Sequence, residues 1–144
     1  MDYFFDTSAL VKLFSEEKGS LIVRDIIDNS QNVIWISDLV RTELHSAVLR
    51  KFRSNEINGN ELELILQSIN EQLNLFKEIY IAGDIISEAS ALIVEFGKNH
   101  GLRTLDSIHV ACWKMYSDLD CIFVTSDNVQ AQVVKEINGN IVFI

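Results

Sequence analysis

Proline is absent from the 144-residue chain, and cysteine occurs only twice, as Cys112 and Cys121. Without proline, no polyproline linker or proline-rich recognition tract divides the sequence. Two cysteines without metal-type spacing are also too few for a disulfide framework, so a reducing cytosol is the expected environment. No apolar run approaches the ~20 residues a membrane helix needs, and a soluble protein is expected. The opening MDYFFD has neither the basic stretch nor the long apolar core of a signal peptide. Phosphate-cradling loops of the GxGxxG or GxxxxGKS/T type are missing, which removes the main support for a dinucleotide or nucleoside triphosphate. No histidine pair has zinc-ligand spacing, and no GxSxG or Cys/His arrangement supports a protein nucleophile. Basic residues are scarce: 12 Lys and Arg face 21 Asp and Glu, a net charge of −9. That balance argues against broad, non-specific binding to nucleic acid and suits a basic protein partner.

What is present is ample apolar material, 48% of the residues, enough for one domain over residues 1–144 to bury a real core. Short apolar runs read as strands at Tyr3–Phe5, Val33–Ile36, Ile79–Ala82, Cys121–Val124 and Ile141–Phe143. Helical patterns fill the intervals at about Ser8–Glu17, Leu21–Asn29, Leu39–Arg53, Glu61–Phe76, Asp84–Asn99, Leu105–Tyr116 and Asn128–Ile137. Gly59, Gly101 and Gly139 fall at the breaks, as turn or C-cap residues. Strands that are short, continuously apolar and alternate with helices predict a three-layer α/β/α domain. Its central sheet is expected to be mainly parallel, with roughly five strands. Two consecutive helices after the second strand predict an inserted αα-hairpin.

Four acids stand out against this frame: Asp6 in YFFDTSAL, Glu43 in SDLVRTELHSAV, Asp106 in GLRTLDSIHVA and Asp127 in CIFVTSDNVQ. In an open α/β sheet the carboxyl ends of the strands line one crevice, where acids distant in sequence can meet. Asp6 and Asp127 each follow a strand and precede a helix, so each also reads as an N-cap. Asp38, near a helix start, reads as a cap alone. Glu43 and Asp106 are harder to explain as structure, because residues three and four away place them beside apolar neighbours. A carboxylate among core residues costs several kcal/mol unless paired or metal-bound. Salt bridges to Arg41, Arg103 or Lys12 are the structural explanation. A shared oxygen-only site for Mg²⁺ or Mn²⁺, and hence a metal-dependent hydrolase, is the functional one.

Other polar residues are more ambiguous. His45 and His109 read as surface or satisfied polar residues before they read as bases. Arg50, Lys51 and Arg53 end the Glu43 helix, where cations complement the helix dipole. They are also placed to contact a phosphate backbone entering the crevice. Trp35 and Trp113 read as core.

The segments FFDTSALVKLF, RTELHSAV, GLRTLDSIHVA and VTSD, in this order and spacing, resemble the PIN-domain family, and most closely its VapC-type toxin ribonucleases. The resemblance spans essentially the whole chain. It implies a metal-dependent endoribonuclease with Asp6, Glu43, Asp106 and Asp127 as catalytic, metal-holding acids. Thr7, Ser8 and Thr125 would order them from a second layer. It further implies Mg²⁺ or Mn²⁺ as cofactor, an RNA substrate, a cognate antitoxin protein and a homodimer. A non-catalytic PIN-like module that binds nucleic acid or protein is the alternative. Two other acid-bearing α/β designs fit less well. A phosphoryl-accepting domain would need a lysine after the last strand, and a haloacid-dehalogenase-type phosphatase an acid at position 8, which is Ser8.

Overall fold

The computed structural model describes residues 1–116 and 120–144. The chain begins with β1 (Asp2–Phe5), then α1 (Thr7–Leu10), extended by a 3-10 turn at Val11–Leu13, and α2 (Ser20–Asp28). β2 (Val33–Ser37) leads into α3 (Leu39–Arg53) and α4 (Gly59–Leu73). β3 (Lys77–Ile79), α5 (Gly83–His100), α6 (Thr104–Tyr116), β4 (Ile122–Thr125), α7 (Asn128–Glu136) and β5 (Ile141–Phe143) complete it.

All strand pairs are parallel, and the sheet order is β3-β2-β1-β4-β5. The chain starts at the centre, winds outward on one side through β2 and β3, and then returns to wind outward on the other. The order therefore reverses between β1 and β4, which opens a crevice beyond their carboxyl ends.

Successive strand residues face opposite sides, and both sides are covered. Phe5, Ile34, Ile36 and Val124 pack with Leu10, Val23, Val40, Leu44 and Ile69 under α1 to α4. Phe4 and Phe123 pack with Ile85, Leu92, Val110, Trp113 and Val133 under α5 to α7. Across the sheet Phe4 stacks on Phe123 at 5.5 Å between ring centroids, and Trp113 meets Phe123 edge-on at 5.8 Å. Both tryptophans serve the fold. Trp35 packs against the second core while its indole N–H donates to Asp2 at 2.9 Å.

The expected three layers and five strands are present, and α3 with α4 forms the inserted hairpin. Its second helix begins at a capping box in which Asn58 and Glu61 satisfy each other's backbone N–H groups. Four expectations need correction. The third strand lies at Lys77–Ile79, earlier than the Ile79–Ala82 run, because register against β2 pairs Trp35 with Lys77 and Ser37 with Ile79. The first helix stops at Leu13, since the Ser20 hydroxyl ties down the following loop by bonding Glu17 N–H and Ser15 C=O. Asp38 makes no cap bond; its carboxylate receives the Ile81 N–H at 3.3 Å instead. Gly59 is neither turn nor C-cap but the first residue of α4. Gly139 does lie in the break after α7, and space requires it there: a Cβ would lie 2.3 Å from the Trp113 ring and 2.6 Å from Val134. Gly101, by contrast, is a C-cap in the left-handed region, with φ of 71°.

Candidate active site

Asp6 leaves β1 at the sheet's switch point and is 1% exposed. Its carboxylate caps α1 by accepting the Ala9 N–H at 2.9 Å, so the N-cap reading is correct as far as it goes. The Ser8 hydroxyl, the Thr125 hydroxyl and the Gln130 amide also donate to it, each within 2.9 Å. One cap bond does not require such a shell. Burial pushes the Asp6 pKa up, against the opposing effects of His109 and these hydrogen bonds.

Asp127 enters from β4 on the neighbouring strand. It caps α7 through the Gln130 N–H at 2.9 Å, while its own N–H donates to Thr125 Oγ1. The same Gln130 reaches back with its side chain: Nε2 lies 2.8 Å from Asp6 and 3.3 Å from Asp106. A single amide thus bridges two carboxylates, and its Oε1 is buried with no partner among the described residues. Asp106, in the first turn of α6, also accepts from Arg103 Nε at 2.9 Å, and Arg103 Nη2 stands 3.7 Å from Asp127. Burial raises the Asp106 pKa despite this arginine.

Glu43 approaches from α3 on the other side. It shares a cavity of about 360 Å³ with Arg103, Thr104, Leu105 and Asp106. Its partner is His109, with Nε2 at 2.7 Å, together with the Thr7 hydroxyl. Burial acts to raise the Glu43 pKa, but the His109 hydrogen bond and attraction outweigh it, and the net shift is downward. His109 is 2% exposed, and its other ring nitrogen contacts Ser37 Oγ at 3.1 Å.

Three of the acids, Asp6, Asp106 and Asp127, are linked through Gln130 and Arg103. Glu43 is bonded instead to Thr7 and His109 and meets the others only across the cavity it shares with Asp106. Ser8 and Thr125 bond Asp6 directly. The Asp106–Arg103 pair exists as the salt-bridge explanation required. The other two candidate cations are engaged elsewhere, Arg41 with Glu78 and Lys12 with Glu17. Sequence reasoning missed three members: Gln130, Ser37, and His109 as the Glu43 partner. Gln130 lies three residues after Asp127, and His109 three after Asp106. Both therefore share a helix face with an acid, a signal that spacing alone could have supplied. Among the described residues, no three acid, histidine or cysteine side chains already stand as a ligand group. The Asp6 carboxylate is closed by its hydrogen bonds, and Asp106 and Asp127 turn toward Arg103. Of the proposed phosphate contacts, Arg50 and Lys51 line a cleft that ends at Thr7, Ser8 and Ser126, whereas Arg53 does not. Cys112 is no nucleophile, because burial and then Asp38 and Asp84 push its thiol pKa up to about 12.

A doubly wound parallel sheet with acids gathered at its switch point defines the architectural class. The PIN domain family model matches residues 3–136, and the chain belongs to the PIN-domain family. A search of curated proteins gives no match. Among solved structures, FitAcB from Neisseria gonorrhoeae is similar at a TM-score of 0.71 and 15% identity, covering 99% of this chain and 96% of that one. VapC20 from Mycobacterium tuberculosis, described as a sarcin-ricin loop cleaving toxin, is similar at 0.70 and 12% identity, with 91% and 94% covered. A toxin–antitoxin complex from Klebsiella pneumoniae is similar at 0.66 and 21% identity, with 98% and 96% covered. Among the described residues no helix is long and apolar enough to cross a membrane.

Proposed function

We propose that the chain is a divalent-metal-dependent endoribonuclease and the toxin of a toxin–antitoxin pair. The observation that carries this reading is the Gln130 bridge. A buried carboxylate and a half-buried one, both of raised pKa, are held together by one amide whose oxygen has no partner among the described residues. Such acids call for a positive partner, and an all-oxygen donor set suits Mg²⁺ or Mn²⁺. Asp6 and Asp106 would hold the ion, and Glu43 and Asp127 would complete its surroundings. When bound, the ion would supply an acidified water and polarise the scissile phosphate.

The chain's own residues then have separable tasks. Ser8 and Thr125 orient the Asp6 carboxylate, and Thr125 also fixes the Asp127 backbone. His109, held by Ser37, aims Glu43 toward the cavity it shares with Asp106. Arg50 and Lys51, which line the cleft beside Thr7 and Ser8, would contact the RNA backbone, and Arg53, which does not line it, would not. The antitoxin would be a partner of complementary, basic character over this acidic mouth, and a homodimer is the expected assembly.

Purified chain should cleave RNA with Mn²⁺ or Mg²⁺, leaving a 5′-phosphate and a 3′-hydroxyl, and should stop on chelation. Asp6→Asn should abolish cleavage. RNA or protein binding without cleavage under any divalent ion would favour the non-catalytic module and overturn the enzymatic reading.

A further inference from the structure

A second charged cluster lies beside the acids. A cleft of about 410 Å³ runs from Thr7, Ser8 and Ser126, against the acidic site, to Lys12, Arg50 and Lys51. In a chain of net charge −9, a lining of three cations against two acids, Glu17 and Glu56, is a local reversal of sign. Lys12 is only 8% exposed. Its stem passes beneath Gly19, where an added Cβ would come within 3.5 Å of Lys12 Cδ. Such packing leaves the ammonium little freedom and commits it to the cleft.

What faces the two lysines is one carboxylate. Glu17 lies 3.0 Å from Lys51 Nζ through one oxygen and 3.6 Å from Lys12 Nζ through the other. At the second distance the Lys12 contact is mainly an ion pair and holds Glu17 less closely than Lys51 does. Lys51 has a further contact with Glu56 at 3.6 Å. One singly charged, two-oxygen anion bridging two ammonium groups has the charge and acceptor pattern of a phosphodiester. Glu17 is about one-third exposed and belongs to the loop between α1 and α2, so exchanging it for another anion costs little.

We propose that Lys12 and Lys51 form a subsite for a phosphodiester next to the scissile one, and that Glu17 occupies this subsite until RNA displaces it. Glu17 is then an internal competitor of substrate. The inference rests on the nuclease reading and refines its RNA path, adding Lys12 and leaving Arg53 outside.

The test measures KM and kcat of the active chain on a short labelled single-stranded RNA. It also measures equilibrium binding of the same RNA in an Asp6→Asn background across salt concentrations. Glu17→Gln should tighten binding and lower KM by up to about fivefold, with kcat unchanged. Lys12→Met, which keeps the packed stem, should weaken binding and lower the log–log salt slope by about 0.7. Lys12→Arg should restore both, and Arg53→Gln should change neither. Melting curves establish that each variant is folded. Opposite signs for Glu17→Gln and Lys12→Met support the subsite. Equal signs, or no change in either while wild type still cleaves, overturn it and spare the nuclease. Absence of any RNA binding or cleavage by wild type overturns both.

Discussion

At the scale of single residues, the four acids differ in what their charge does to the fold. Burial raises the Asp6 and Asp106 pKa values above an ordinary value of 3.8, so the folded protein holds these protons more tightly than the unfolded chain. Stability is then lost as pH rises from the ordinary carboxylate range through the raised values. Glu43 is lowered from 4.5 by His109 in spite of burial, so its contribution is present above 4.5 and lost as pH falls through the lowered value. Metal-free protein should therefore be most stable in mildly acidic solution. In its neutral-pH melt, Asp106→Asn should match or exceed wild type, with the difference vanishing near pH 4. Glu43→Gln should instead lower the melting temperature by about 4 °C, the equivalent of roughly 1 kcal/mol. Destabilisation of both amides alike, measured by calorimetry in chelator, would refute this division. It also bears on cleavage: all four amides should reduce activity severely, yet of Asp106→Asn and Glu43→Gln only the second should show a stability cost.

Among the elements, the hairpin α3–α4 and the end of α7 carry the clearest expectations. Gly139 follows α7 in the turn to β5, and a methyl group there would drive into Trp113 and Val134. Gly139→Ala should cost about 1–3 kcal/mol by overpacking. Gly59 opens α4 with open space around its Cβ position, so Gly59→Ala should be neutral or stabilising by up to about 1 kcal/mol. Denaturant melts of the two variants should move in opposite directions or leave only the first displaced. The Asn58 capping box offers a control remote from the acids. Asn58→Ala should cost about 1 kcal/mol with kcat on RNA unchanged.

For the whole molecule, a ligand that binds only the folded state raises the melting temperature by mass action. Mg²⁺ and Mn²⁺ should do so in wild type, by about 2.7 kcal/mol at a hundredfold excess over Kd. Asp6→Asn combined with Asp106→Asn should blunt the response. Equal Mn²⁺ shifts in wild type and double variant would show that the ion binds elsewhere on this acidic surface. A net charge of −9 makes that comparison necessary, since any divalent cation will associate weakly with such a chain.

Local pattern carried the layers of this protein. Apolar runs at Tyr3–Phe5, Val33–Ile36 and Ile141–Phe143 and helical patterns at Leu39–Arg53 and Leu105–Tyr116 are set by side-chain periodicity, which is a property of neighbours along the chain. The four acids were legible for the same reason: each breaks an apolar pattern or follows a strand. The placement of β3 was not legible, because Lys77 joins the sheet only through its register beside Trp35. Nor was the partner of Glu43. Three plausible cations were available in the sequence, and His109 was instead brought to 2.7 Å by the packing of α6. Gln130, the bridge between Asp6 and Asp106, bonds an acid 124 positions away from it along the chain. The sequence by itself determined which residues form strands and helices and which acids do not belong among core residues, since those follow from local sterics and apolar spacing. Only the tertiary structure decided which donor meets which acid, because pairing across the switch point depends on how two halves of the sheet wind in opposite directions from β1.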